Sequence, residues 1–438
     1  MEYLPLIFFG IVLLMLMAGF PVAFTLGGVS LIFGLATFGL NFFNLLPMRI
    51  WGVMNNFILL AVPLFIFMGV MFEKSGLAEE LLETMALLFG KLRGGMAISV
   101  LVVGALLAAA TGIVGATVVT MGVLTLPTML KKGYSPEVAT GIIAASGTLG
   151  QIIPPSIVLV LLGSVLNISV GELFIASVIP GFLLVFLYLT WLIIIAIVKP
   201  KLAPSMPKEE LQKFRESNKA KKILVAFVAP FFLITAVLGS IFAGIASPTE
   251  AAAVGAFGAT ILTIVRGKFN KKILDDVMMR TMTLTSMTFM ILIGAAAFGL
   301  VFRGMGGDRI LTDLILTNGV EPHHFLMIVM VIIFIAGFFI DFIEITFIIV
   351  PVVAPIFVHL GIDLLWIGVL IAVNLQTSFL TPPFGFALFF LKGVAPDGVT
   401  TKHIYKGVLP YVAIQLVGLT LLILFPEMVL WLPKALGY

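Results

Sequence analysis

The chain has 438 residues, 61% of them hydrophobic and 11% charged, with a mean hydropathy of +1.23. That composition excludes an ordinary soluble domain and points to an all-α, multi-span membrane protein. The net charge of +4, from 25 Lys and Arg against 21 Asp and Glu, leaves no footprint for nucleic acid, and the absence of cysteine excludes disulfides and thiolate metal sites.

A helical span takes about 20 apolar residues. The N-terminal stretch MEYLPLIFFGIVLLMLMAGF carries no Lys or Arg, and the first basic residue is Arg49. It lacks the positive n-region of a cleaved leader and reads as a retained first span over 3–19. Spans over 21–40 and 50–72 follow, then a basic segment, 73–95. The apolar run 96–130 holds ATGIVGAT (110–117), small and Gly-rich, where backbone can approach backbone. It is predicted to enter the membrane and return as a re-entrant hairpin with that stretch at its tip.

The segment 139–165 contains SGTLGQIIPPSIVLVLLG (146–163), a helix interrupted by two prolines. Proline lacks a backbone donor and clashes with the carbonyl four residues earlier, so a broken helix is expected. A span over 172–198 closes the first half. The only long polar stretch, 199–222, reads as an exposed linker with a short surface helix from Lys208. The second half predicts spans over 223–246, 248–265 and 280–302, a hairpin over 324–358, a broken helix over 364–391 and a last span over 407–432. Glu250, behind Ser247-Pro248, is read as a helix cap and N-terminal charge. The four histidines show no metal-ligand spacing, and His323-His324 is placed in a loop. Phe-rich stretches such as LFIF and ALFF read as packing.

The two halves repeat. Pro382-Pro383 lies over Pro154-Pro155 and Pro355 over Pro127, each at an offset of 228. Pro410 matches Pro180 at 230, and Pro248 matches Pro21 at 227. Four ordered matches divide the chain into residues 1–198 and 223–438, joined by the linker. Five crossings per half give the halves opposite orientations. With the linker inside, the inner segments hold 21 of the 25 Lys and Arg, leaving Arg49, Arg303, Arg309 and Lys434 outside. Cytoplasmic loops carry the excess of basic residues, which supports this topology with both termini periplasmic. Inverted repeats with broken helices are the signature of secondary transporters. Irregular backbone at membrane depth is tolerated only where it is buried or lines a cavity. The freed carbonyls at the two Pro-Pro breaks are therefore candidate ligands for a small cation. Asp341, inside a long apolar stretch, is costly there and reads as functional. Glu344, one turn later, leaves proton coupling open, and a structural pairing of Asp341 with Arg303 or Arg309 is the plainer alternative.

GTLGQIIPPSIVL, SPTEAAAVGA, AVPLFIFMG and NLQTSFLTPPFGFALFFLKGVAP resemble signatures of the large membrane subunit of tripartite ATP-independent periplasmic (TRAP) transporters, over about residues 4–432. The resemblance implies an elevator-type ion-transporter-like fold in the bacterial inner membrane and sodium-driven uptake of a small organic acid. It also implies two partners, a small four-helix membrane subunit and a soluble periplasmic binding protein. The coupling ion would be Na+, with no other cofactor. Carried over residue by residue, it implies a first sodium site at Thr111, Gly150, Ile153 and Pro155. The mirror site would use Asp341, Ser378, Thr381 and Pro383, and Asn374 and Gln376 are candidates for the solute path. The chain departs from the family at the first tip, where Thr111-Gly112-Ile113 replaces Ser-Gly-Ser, and at Ser378, where Gly is usual. The remaining readings are a stand-alone carrier or channel of related fold, and a membrane enzyme. The enzyme is disfavoured by the lack of a metal motif, nucleophile elbow or cysteine, and no phosphate-binding loop supports ATP drive. Lysines of the linker read as a solvated cytoplasmic face within reach of anionic lipid.

Overall fold

A computed structural model of the chain describes residues 3–40, 44–206, 227–317 and 319–438, and every regular element among them is helical. In chain order the first half contains α1 (Leu4–Met17), α2 (Val22–Phe38), α3 (Leu45–Met54), α4 (Ala61–Lys74), α5 (Leu77–Phe89), α6 (Gly95–Thr111), α7 (Val114–Lys131), α8 (Pro136–Thr148), α9 (Ile157–Leu166) and α10 (Val170–Val198). The second half contains α11 (Ala229–Phe242), α12 (Pro248–Val265), α13 (Lys271–Gly304), α14 (Gly307–Thr317), α15 (Pro322–Ala336), α16 (Phe342–Ile348), α17 (Val350–His359), α18 (Leu364–Leu380), α19 (Phe386–Val394), α20 (Thr401–Leu424) and α21 (Glu427–Ala435). Residues 207–222 of the expected linker, with its surface helix, lie outside the described residues.

Helix starts follow local chemistry. Ser135 caps α8 ahead of Pro136, and its hydroxyl accepts from Val138 N. Ser247 and Glu250 form a reciprocal capping box on α12, the plain role expected of Glu250. Among the described residues six helices are long and apolar enough to cross a membrane, with α10, α13 and α20 the longest at 29, 34 and 24 residues. Several boundaries differ from the sequence reading. The span expected over 50–72 divides into α3 and a continuous helix Phe57–Lys74. Residues 271–280, read as loop, extend α13: Asn270 caps it by accepting from Ile273 N at 2.9 Å, and Asp276 and Arg280 on it pair with Lys74 and Glu73. His323 and His324 lie in the first turn of α15, not in a loop. The visible start of the linker is not free: Ala203 is buried, and its carbonyl accepts from Gly94 N.

Helices of the two halves pack on one another. α2 lies on α13, α4 on α12, and α8 on α20. Thr148 and Gln376, 228 positions apart, meet at 3.5 Å between the broken helices, and Tyr188 meets Gln415, 227 apart, at 2.7 Å. α8 and α20 approach through facing glycines. A Cβ on Gly407 would fall 2.2 Å from the Glu137 carbonyl oxygen, and one on Gly141 would fall 2.2 Å from that of Gly407. Overpacking of this kind costs about 1–3 kcal/mol. Gly407→Val is therefore expected to lower the thermal midpoint of the detergent-purified chain by several degrees. An unchanged midpoint would show that this contact does not hold the two halves.

Candidate functional site

The first hairpin is built by α6 and α7. Its tip is Gly112, at φ +62, followed by extended Ile113. The left-handed φ is open to glycine at no steric cost. Opposite it, α8 runs into a 3-10 turn, Leu149–Gln151, and the chain stays non-helical until α9. The Pro154–Pro155 bond in this break and the Pro382–Pro383 bond in the other are both cis. Tip and break are in backbone contact. A Cβ on Gly150 would fall 2.7 Å from the Ala108 carbonyl oxygen, and one on Gly112 3.3 Å from Ile157 N. From the other side Gly69 of α4 abuts the tip, where a Cβ would lie 2.5 Å from Thr111 Cα.

Thr111 does not bond back to its own helix. Its hydroxyl lies 2.7 Å from that of Thr117, whose proton goes to the Ile113 carbonyl at 3.1 Å. Either hydroxyl of the pair can donate; when Thr117 donates to the Ile113 carbonyl, Thr111 donates to Thr117 and keeps its acceptor lone pairs. The carbonyls of Gly150, Ile153 and Pro155 accept no hydrogen bond among the described residues. The three carbonyls are therefore free of the fold's hydrogen bonds, the Thr111 hydroxyl is engaged with Thr117, and Gly150 is the break residue in backbone contact with the hairpin.

The hairpin base is closed by Tyr134, buried, whose hydroxyl accepts from Met96 N, an orphan donor in the first turn of α6. Burial pushes the phenol from 10 up to about 12. Between those values an unfolded chain ionises while the fold keeps the proton, so this contribution to stability falls as pH rises above 10. Tyr134→Phe leaves the Met96 N–H unpaired and is expected to cost about 1–3 kcal/mol, read as a lower thermal midpoint. An unaltered midpoint would mean water replaces the hydroxyl.

The second hairpin joins α15 to α16 and α17, the latter pair bent by 50°. Asp341 is the N-cap of α16. Its carboxylate accepts from Phe342 N at 2.7 Å, and Glu344 accepts from Asp341 N at 3.0 Å. The two carboxylates form a capping box, and Asp341 has no ion pair with Arg303 or Arg309. Arg303 instead donates Nε to the Gly299 carbonyl at 3.2 Å. Ser378 is buried and donates to the Leu375 carbonyl at 2.9 Å, while Thr381 donates to the Thr377 carbonyl at 2.7 Å. Ser378 fits only because residue 337 is glycine, since a Cβ there would lie 2.1 Å from its Oγ. Pro383 is exposed, and its carbonyl accepts from the Tyr405 hydroxyl at 2.8 Å; the Ser378 and Thr381 carbonyls accept from Thr381 N at 3.1 Å and Gly385 N at 3.0 Å, so all three backbone oxygens of the expected second set are already engaged. Asn374 and Gln376 line neither cavity described below. Asn374 donates to the Met330 carbonyl at 2.7 Å and Gln376 to Thr148, both fully buried helix-to-helix bonds.

The two tips converge. A cavity of about 240 Å³ is lined by Ile113, Val114 and Gly115 of the first tip and Ile157 beyond the first break. Its opposite wall is Asp341, Phe342 and Ile343 of the second tip, with Phe379 and Phe386 flanking the second break. Ile66 of α4 and Leu284, Met287 and Thr288 of α13 close it. Both hairpins and both broken helices thus meet at one small, mostly apolar chamber with one carboxylate. A second cavity, about 590 Å³, lies further along α13 and carries Arg49, Asn56, Ser164 and Arg303. The sequence reading placed Arg49 and Arg303 among the outside basic residues and did not bring the four together in one cavity.

The family model described as "Tripartite ATP-independent periplasmic transporter, DctM component" matches residues 9–428. The chain is 31% identical to the C4-dicarboxylate TRAP transporter large permease protein DctM of Vibrio cholerae, covering 98% of this chain and 97% of that protein. It is 30% identical to the sialic acid TRAP transporter large permease protein SiaM of the same species, over 97% of each chain. Among solved structures, the Alcanivorax borkumensis YdaH transporter superposes with a TM-score of 0.63 at 15% identity, covering 98% of this chain and all of that one. That likeness concerns the fold alone.

Proposed function

The chain belongs to the DctM-component family of tripartite ATP-independent periplasmic transporters, a multi-pass inner-membrane transport subunit and not an enzyme, and from that premise we propose that it imports a small organic acid by sodium symport. The solute arrives on a periplasmic binding protein, and a small four-helix membrane subunit sits beside this chain. One observation supports the reading: residues of both hairpin tips, with Ile157, Phe379 and Phe386 flanking the two helix breaks, line a single cavity. Inverted repeats place broken helices at the midplane in this way, and the unwound carbonyls suit a hard cation.

In this reading the first ion is held by the free carbonyls of Gly150, Ile153 and Pro155 with Thr111. The second takes Asp341 with oxygens of Ser378 and Thr381, and Pro383 contributes only if Tyr405 lets go. The first half, 1–198, and the second, 223–438, stand in opposite orientation, with the linker cytoplasmic and both termini periplasmic. The hairpins and broken helices slide as a body against α2, α4, α12 and α13. Relatives whose names specify a C4-dicarboxylate and a sialic acid support a carboxylate solute. The capping box of Asp341 and Glu344 favours one second reading, in which a proton replaces the second sodium.

The direct test is the thermal midpoint of the purified chain in sodium, potassium and choline at constant ionic strength. Ligand that binds only the folded state stabilises it by about 2.7 kcal/mol at a hundred times Kd. A saturable rise specific to sodium is expected. A midpoint indifferent to sodium but dependent on pH would transfer the coupling to the carboxylate pair.

A further inference from the structure

We infer that the larger cavity is an anion-binding chamber in which Arg49 and Arg303 hold the carboxylate of the organic acid before it reaches the hairpin tips. This rests on the reading of the chain as an organic-acid carrier but not on its sodium sites. The two cavities share their walls. α13 gives Leu284–Thr288 to the tip cavity and Leu292–Arg303 to this one, and α9 gives Ile157 to one and Ser164–Leu166 to the other. α16 and α17 likewise run from Asp341 at one to Val358 at the other. They lie along the same helices, roughly 15 Å apart along α13 at 1.5 Å per residue.

The chamber is built for an anion by what faces it. Neither guanidinium has an ion-pair partner among the described residues. Arg303 is laid along its own helix by its bond to the Gly299 carbonyl. The charged groups it feels are Arg49 and, more weakly, Asp308. Two like charges facing one cavity repel, and a bound carboxylate turns that repulsion into two attractions. The planar guanidinium fork matches a carboxylate edge to edge. Apart from Asn56, Ser164 and Asn167 the lining is apolar, and the volume of about 590 Å³ suits a small organic acid. Asn56 donates to Ser164 at 3.0 Å, tying α9 to the turn ahead of α4. Charge placement agrees. In the proposed topology only four of the 25 basic residues face outside, against the usual bias, and two of them share this chamber.

The test uses the purified full chain in sodium-free choline buffer, with succinate, pyruvate and gluconate as probes and neutral succinamide as control. Binding is read by thermal stability and by calorimetry. At least one acid is expected to bind saturably and succinamide not to bind. R49Q and R303Q should each weaken the acid by about tenfold to a hundredfold, the range for a charge-assisted hydrogen bond. R49K and R303K, which keep the charge but lose the fork, should fall between. Arg309→Gln, outside the chamber, should bind as the parent does. Equal affinity in the arginine variants overturns the proposal, as does the failure of all three acids to bind. If arginine-dependent binding holds while sodium has no effect on the parent chain, the chamber stands and the sodium reading fails. The reverse pattern removes the chamber alone.

Discussion

Asp341→Asn is expected to leave the fold near its parental stability and to abolish the second-site component of sodium stabilisation, with uptake in proteoliposomes falling to background. The argument turns on what the side chain does twice. Asp341 caps α16, accepting from Phe342 N, and it presents the one carboxylate that lines the tip cavity. Alanine removes both roles, and loss of a cap alone costs about 1 kcal/mol. Asparagine caps as well as aspartate does but carries no charge. Asp341→Ala should therefore lose both baseline stability and sodium response, and Asp341→Asn only the response. The pair separates a ligand from a cap. A sodium titration in Asp341→Asn that overlays the parent's would reduce the residue to its capping role and leave Glu344 as the next carboxylate to change.

The legible parts of this chain are those where one residue type dictates backbone conformation. Pro154-Pro155 and Pro382-Pro383 announced both breaks, and Ser247-Pro248-Thr249-Glu250 announced a helix start. The hairpin tip at Gly112 followed from small residues in an apolar run. What sequence hid depends on partners far along the chain. The carbonyl of Pro383 is taken by Tyr405, 22 residues on, and Asn374 is spent on the Met330 carbonyl, 44 residues back. Residues 271–280 read as loop because they are polar, yet they form the first turns of α13, capped by Asn270 and paired with Glu73 and Lys74. Arg49 and Arg303, 254 positions apart, read as scattered outer charge, and only the packing of α3 against α13 sets them in one cavity. Spacing finds a break in a helix. It does not find which freed oxygen stays free.

Gly150→Val should be the most damaging single change at the first site. The position is a contact between backbones: its Cβ would lie 2.7 Å from the Ala108 carbonyl oxygen and 3.1 Å from the carbonyl carbon. Neither atom belongs to a flexible side chain, so the hairpin must lift off the broken helix. Ala108 stands one turn before Thr111, and the lift carries the Thr111 hydroxyl away from the carbonyls of Gly150 and Ile153. Hard cations hold their oxygens within a few tenths of an ångström, so affinity should fall faster than stability does. Gly150→Ala is the smaller wedge and should show a graded loss. The control for overpacking as such is Gly294→Val, whose Cβ would meet the Ala23 carbonyl oxygen at 2.7 Å between α2 and α13, away from the tips. Both classes should lower the thermal midpoint, but only the Gly150 variants should shift the sodium titration, by tenfold or more where a ligand distance is lost, about 1.4 kcal/mol. If Gly294→Val and Gly150→Val lose stability alike and titrate sodium alike, the free carbonyls at the first break are not ion ligands, and the helix there is broken for packing alone.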